Sequence, residues 1–342
     1  MKAVHAPGHD GHDPRFFLVR GRPATRSAEQ PARAHMLLAA AQRVGLAVVA
    51  PEDHGHAARI AVHDPRYLDF LATAWDRWQA LPDAGPEVVA NVHPVGPPGG
   101  YPRAVVGQAG FHMADAACPI GPQTWQAACA AANSAAHAAE LVLAGERAVY
   151  ALCRPPGHHA HAAQAAGFCY LNNAAIAAAA LRRRHARVAV IDVDVHHGNG
   201  TQSIFWRRAD VLTVSLHADP ADYYPFFAGY AGETGEGPGA GANLNIPLPL
   251  GTGDDEYLAA LTGALAAVRG FAPGALVVAL GLDGFAGDPL RGMGLTTPGF
   301  ARIGAALARL GLPTVLVQEG GYLAPELGDN LASALRGFLA AA

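Results

Sequence analysis

The chain has 342 residues, 51% hydrophobic and 15% charged, with a formal net charge of −4. That composition is enough for a large buried core and excludes a disordered chain, while the acidic balance gives no footprint for nucleic acid and no polybasic face for anionic lipid. No stretch reaches the ~18 uninterrupted apolar residues of a membrane span. The first twenty residues carry His5, His9, His12 and Asp13 instead of a signal-peptide core, and Cys118, Cys129, Cys153 and Cys169 form no C-x-x-C pair, so a cytoplasmic protein with reduced thiols is expected.

Short β-branched runs alternate with long Ala/Leu-rich segments, the pattern of a parallel sheet with crossover helices. The predicted strands are 46–50, 148–153, 187–195, 210–216, 275–283 and 313–318, apolar enough to be covered on both faces. The predicted helices are 31–44, 65–79, 123–144, 171–184, 201–208, 254–270, 298–310 and 328–341, with start signals at Thr201 and at Thr297-Pro298. Two Pro/Gly-rich stretches, 81–103 and 219–241, are too long for plain connections, and their embedded aromatics mark them as working loops.

The strongest strand closes on Asp192-Val193-Asp194-Val195-His196-His197-Gly198-Asn199-Gly200. In an extended strand, Asp192, Asp194 and His196 share one face. An Asp at a strand end can simply cap a helix, but burying two carboxylates side by side without a cation is costly, so a divalent metal of the zinc type is the better account. Asp283 closes the strand predicted at 275–283, which is apolar until that end, and sits at the same end of the sheet; alone it would be a loop cap, and beside the first strand it can complete an Asp, His, Asp set. Upstream, Arg154-Pro155-Pro156-Gly157-His158-His159 presents two adjacent imidazoles suited to proton transfer. Downstream, Glu319-Gly320-Gly321-Tyr322 could bring a phenol to the metal; taken alone it is an ordinary glycine turn with a packed tyrosine.

Taken together, RPPGHH (154–159), GFCYLNN (167–173), DVDVHHGNGTQ (192–202), SLH (215–217), LGLDGFAGDP (280–289) and EGGY (319–322) resemble the histone deacetylase superfamily in order and spacing, over nearly the whole chain. Residues 63–78, the segment after them, residues 219–243 and Asn199 are most similar to its bacterial acetylpolyamine amidohydrolase branch. The resemblance implies one α/β domain over 1–342 with a single, mainly parallel sheet of the arginase/deacetylase fold. It also implies an insert at about 76–106 that mediates a homodimer and narrows the active site.

Residue by residue, the resemblance implies that Asp194, His196 and Asp283 hold Zn²⁺ or Fe²⁺. His159, oriented by Asn199, would be general base and then acid, His158 paired with Asp192 would act electrostatically, and Tyr322 would polarise the scissile carbonyl. Asp192, Asp194, His196, Ser215 and Leu216 would form a structural potassium site. Phe168 and Tyr224 would wall a tunnel for the aliphatic arm of the substrate, with Gly167 and Leu290 nearby. Asp115 is the one acid in 104–117, where the branch uses carboxylates to attract a second ammonium group, and Arg15-Phe16-Phe17 is aromatic and basic where that branch carries an acid. The expected reaction is hydrolysis of the acetyl amide of a small acetylated amine. A protein or peptide lysine deacylase is the alternative, and a non-catalytic metal-binding protein of the same fold would be marked by loss of a ligand, dyad or tyrosine residue, none of which is lost.

Overall fold

The computed structural model describes residues 1–19, 22–23, 26–96 and 99–342; Pro97 and Pro98, inside the insert, lie outside the described residues. The strands are β1 (Lys2–Val4), β2 (Leu18–Val19), β3 (Arg22–Pro23), β4 (Ala47–Val49), β5 (Ala148–Ala151), β6 (Val188–Asp192), β7 (Val211–Ala218), β8 (Asn243–Leu248), β9 (Ala275–Leu280) and β10 (Thr314–Gln318). The helices are α1 (Pro31–Arg43), α2 (Gly55–Ile60), α3 (Pro65–Gln79), α4 (Val105–His112), α5 (Thr124–Leu143), α6 (Asn173–Leu181), α7 (Asn199–Phe205), α8 (Asp254–Phe271), α9 (Thr297–Ala308) and α10 (Leu327–Ala341). β2 and β3 pair as a small antiparallel ribbon; the other eight strands form one sheet in the order β4-β1-β5-β10-β9-β6-β7-β8. Every pairing in it is parallel. This is the expected single-sheet α/β architecture.

Apolar side chains alternate between two cores because successive strand residues point to opposite faces. Val188 and Val190 pack on one face of the sheet, Ala189 and Ile191 on the other, and helices cover both. Burying both faces leaves the strand ends as the places where polar side chains can gather.

Several boundaries differ from expectation for local reasons. The strand expected to run to Val195 ends at Asp192, so Asp194 and His196 stand on the turn beyond it rather than on one strand face. The helix expected from Thr201 begins at Asn199, and the Thr201 hydroxyl is instead engaged with the Asn172 side chain. Thr296 caps α9, accepting from Gly299 N–H at 3.2 Å with Pro298 in the first turn. Strands β1 and β8 and helices α2 and α4 carry no clear sequence signal: β1 spans only three residues, β8 is an edge strand carrying Pro247, and α4 contains two glycines.

Candidate functional site

Five neighbouring strands, β5, β10, β9, β6 and β7, deliver their carboxyl ends to one cavity of about 460 Å³. Its lining includes His159, His196, Tyr322, Gly167, Phe168, Tyr224, Leu290 and Asp115. The structure thus brings together all five sequence-predicted substrate residues with a dyad histidine, one candidate ligand and the tyrosine.

At its floor, one ligand atom each from Asp194, His196 and Asp283 lies within 4.8 Å of the others. All three residues are buried. His196 Nδ1 is 3.0 Å from Asp194 Oδ1 and 3.2 Å from Asp283 Oδ2. One ring proton can serve only one of these carboxylates, and Asp283 Oδ2 is left without a donor. Burial works against a charge on His196, but the two carboxylates outweigh it and raise its imidazole to about 9. Burial and the neighbouring Asp194 charge raise the Asp283 carboxyl in turn. The cluster is short of positive charge, which is the electrostatic condition of a cation site.

The remaining carboxylate oxygens are fixed by backbone. Asp194 Oδ2 accepts from Gly320 N–H at 2.7 Å, and Asp283 Oδ1 accepts from Val195 N–H at 3.1 Å. Gly320 permits this approach because a Cβ there would sit 2.0 Å from Asp283 Oδ2 and 2.5 Å from Asp194 Oδ2. Gly321 follows at φ +111°, a left-handed conformation that glycine adopts without strain, and turns Tyr322 toward the cavity. Tyr322 N–H donates to Asp288 Oδ2 at 2.9 Å, and burial together with Asp283 keeps the phenol protonated.

The two imidazoles of the RPPGHH turn lie with ring centroids 4.0 Å apart, tilted by 44°, and face different partners. His158 Nδ1 is 2.9 Å from Asp192 Oδ2, and His159 Nδ1 is 2.7 Å from Asn199 Oδ1. Burial disfavours a charge on both. Asp194 and Asp192 reverse that at His158 and raise its pKa well above the usual range, whereas the positive neighbours His158 and His196 push His159 further down. The adjacent pair is thereby split into a proton-holding member and a neutral one.

Of the residues implied for potassium, Asp192 and Ser215 line a small cavity of about 10 Å³, with His197 and Asn243 beside them. That volume is the size of a single water or ion site. Asp194, His196 and Leu216 do not line it.

Asp115 sits in the cavity wall, but its carboxylate is committed: it accepts from Tyr224 O–H at 2.6 Å, Ala117 N–H at 2.8 Å and Gly167 N–H at 3.1 Å. Phe17, which departs from the expected acid, packs its ring 5.2 Å from Phe168. The backbone N–H groups of Arg15 and Phe16 each donate to the Glu87 carboxylate at 2.8 Å, so the insert holds the N-terminal loop over the cavity. Within the insert, Val88 is fully buried and bridges to Ile120, whereas Val92 and Val95 are exposed.

Sequence reasoning missed four contributors. Asp222 lines the cavity at its exposed rim. His161 Nε2 accepts from Asn199 Nδ2 at 3.2 Å and so fixes which end of that amide faces His159; a third histidine two positions after the doublet was its only signal. Arg33 of α1 donates to the Glu319 carbonyl at 2.7 Å and to the Gly321 carbonyl, which steadies the tyrosine turn. Glu29, wholly buried, pairs with Arg33 at 2.9 Å and with Arg154 at 2.8 Å. Glu29 and Arg33 stand at i,i+4 spacing, but nothing local links them to Arg154, so the three-residue cluster could not be read from the sequence.

The histone deacetylase domain family matches residues 27–338. The chain is 49% identical over 339 residues to a Burkholderia pseudomallei protein named acetylpolyamine amidohydrolase, covering 99% of this chain and 98% of that one. It is 45% identical to a protein of that name from Mycoplana ramosa, covering 98% and 99%. Among solved structures, the acetylpolyamine aminohydrolase of Burkholderia pseudomallei superposes with a TM-score of 0.97 at 48% identity, covering 100% and 99% of the two chains. The HD domain of HDA15 superposes with a TM-score of 0.81 at 26% identity, covering 99% and 90%. With this match in sequence and fold, the chain belongs to the histone deacetylase family and is a hydrolase of linear amides.

Proposed function

We propose that the chain hydrolyses the acetyl amide of small acetylated amines, acetylpolyamines first among them, releasing acetate and the free amine. The observation that carries this reading is the cavity that reaches the Asp194, His196 and Asp283 cluster at His196, with His159 and Tyr322 on its wall. It is supported by near end-to-end likeness to proteins named for acetylpolyamines.

A divalent ion fits the cluster, because two buried carboxylates share one imidazole proton and Asp283 Oδ2 has no donor. Asp194, His196 and Asp283 would hold Zn²⁺ or Fe²⁺, which when bound acidifies water and polarises the amide carbonyl. The protein's own groups do the rest. His159 is neutral, and with Nδ1 committed to Asn199 it offers Nε2 to take a proton from the attacking water and return it to the leaving nitrogen. His158 retains its proton beside Asp192 and contributes charge rather than proton transfer. The Tyr322 phenol donates to the carbonyl oxygen as negative charge develops there.

Phe168 and Tyr224 wall the aliphatic arm, with Gly167 and Leu290 completing the wall. Asp115 locks Tyr224 through a 2.6 Å hydrogen bond, which leaves the exposed Asp222 as the rim carboxylate free to attract a second ammonium group. Asp192, Asp194, His196, Ser215 and Leu216 are proposed to hold potassium, a reading supported only at Asp192 and Ser215 by the small cavity between them. The single domain over 1–342, the cytoplasmic location and a homodimer through the insert belong to the same proposal; exposed Val92 and Val95 support the dimer contact. No described helix is long and apolar enough to cross a membrane.

The test is acetate release by metal-loaded enzyme from N-acetylputrescine, N-acetylcadaverine, N8-acetylspermidine and an acetyl-lysine peptide. Faster turnover of the small amines than of the peptide is expected. Turnover of the peptide alone would transfer the assignment to a lysine deacylase, and no turnover of any of them would remove it.

A further inference from the structure

We infer that His9, Asp10 and His35 form a second divalent-cation site of the zinc class, joining the N-terminal turn to α1. One ligand atom from each lies within 4.8 Å of the other two. Asp10 Oδ1 is 2.9 Å from His35 Nε2 and 3.6 Å from His9 Nδ1. Zinc bonds of about 2.0–2.1 Å in a tetrahedron set neighbouring ligand atoms roughly 3.4 Å apart. The two measured separations fall on either side of that value.

A second observation points to a ligand here. The His9 side chain is only 5% exposed, and its Nδ1, the atom turned toward Asp10, has no hydrogen-bond partner. A buried ring nitrogen of this kind needs a proton acceptor, a proton donor or an ion. His5 packs its ring 5.2 Å from His9 and also leaves a buried Nδ1 unpartnered.

The outer ligands are open: the side chains of Asp10 and His35 are 62% and 60% exposed, so an ion enters from solvent without unfolding. Burial holds the His9 imidazole at about 4, with Arg154 adding to the effect, so it is a neutral donor at neutral pH. Among the described residues Arg154 is the strongest positive neighbour of His9, ahead of His5 and His35, and its charge is already engaged by Glu29 at 2.8 Å. Imidazole with one carboxylate selects a borderline transition ion over Mg²⁺ or Ca²⁺.

The site shares no residue with the catalytic cluster, yet it bears on the same wall. Arg154, which opens the RPPGHH turn, donates to the carbonyls of His9 and His12, and the segment continues to Phe17 against Phe168. An ion bridging the turn to α1 would therefore stiffen one side of the cavity.

The test is equilibrium dialysis of the metal-loaded full chain against Zn²⁺, with elemental analysis, beside an Asp10→Asn/His35→Ala double variant. Both substitutions fall on exposed side chains, and circular dichroism verifies that the variant folds. Wild type is expected to bind one equivalent more than the variant, and excess Zn²⁺ is expected to raise the melting temperature of wild type alone. Equal stoichiometry and equal melting shifts in the two proteins would overturn the inference. Because the readout is a difference in bound metal, it is independent of whether the Asp194 cluster catalyses deacetylation.

Discussion

Replacing Gly320 by alanine should weaken metal binding without removing a single ligand. A Cβ at this position would sit 2.0 Å from Asp283 Oδ2 and 2.5 Å from Asp194 Oδ2, where about 3.0 Å is the closest approach real side chains make. One carboxylate must therefore retreat by about 1 Å, and neither is free to do so cheaply. Asp194 Oδ2 is held by the Gly320 amide and Asp283 Oδ1 by the Val195 amide. Gly320 is not in the left-handed region, so the cost comes from crowding rather than from backbone strain. Disturbing groups that orient metal ligands commonly costs 10–100-fold in affinity, about 1.4–2.8 kcal/mol. The assay is competition for zinc against a chromophoric chelator, with the melting temperature recorded in parallel. Gly263→Ala on α8, where a Cβ meets nothing within 4 Å, is the control and should leave affinity unchanged. Wild-type affinity in Gly320→Ala would refute the assignment of these carboxylates as a ligand pair.

The other predictions concern protons, the rim and the amide of Asn199. His12 and His63 are buried and held at about 4, so the native state resists protons that the unfolded chain accepts from about 6.5 downward. Stability should therefore be full above pH 6.5 and be lost progressively toward pH 4, by up to roughly 3 kcal/mol per group. His63 Nε2 accepts the Asn172 N–H at 2.9 Å, a bond that protonation breaks. Denaturant melts at pH 7 and pH 5 should accordingly show a smaller loss in His63→Gln than in wild type, and an identical loss would contradict the assignment. Asp222→Asn should raise KM for N-acetylputrescine several-fold and leave kcat nearly unchanged, because a rim charge acts on encounter more than on chemistry; a fall in kcat alone would count against the rim role. His161→Phe removes the acceptor that orients Asn199, so kcat should fall about tenfold with a displaced pH profile. His161→Gln, which can still accept that hydrogen bond, should recover part of the loss, and equal defects in the two variants would point to packing instead.

The candidate site residues were legible because each stands just past a strongly apolar strand. Val188–Ile191 and Ala275–Leu280 announce buried strands, and Asp194, His196 and Asp283 follow where both sheet faces are already occupied. What the sequence reading had wrong was the local path: extended geometry does not continue past Asp192, because the Asp192 and Asp194 carboxylates accept the backbone N–H two residues on and bend the chain. What it missed depends on distant partners. Lys2–Val4 is too short to show periodicity, yet it is an inner strand because β4 and β5 supply its hydrogen bonds. Glu29 and Arg33 look like ordinary polar residues at a helix start, and only the fold reveals that Arg33 holds the Glu319 and Gly321 carbonyls. The same holds for Asp115: composition marked it as the one acid in its segment, but the hydroxyl of Tyr224, 109 residues away, determines that its carboxylate is already engaged.

The central claim is that the Asp194 cluster, His159 and Tyr322 act together on an acetyl amide. Its most direct test is single-turnover acetate release from N-acetylputrescine by metal-loaded wild type, Tyr322→Phe and His159→Ala, each with its bound metal counted. Full metal occupancy is expected in all three proteins, with a loss of at least 100-fold in rate in both variants. Variants that keep both their metal and the wild-type rate would contradict that claim.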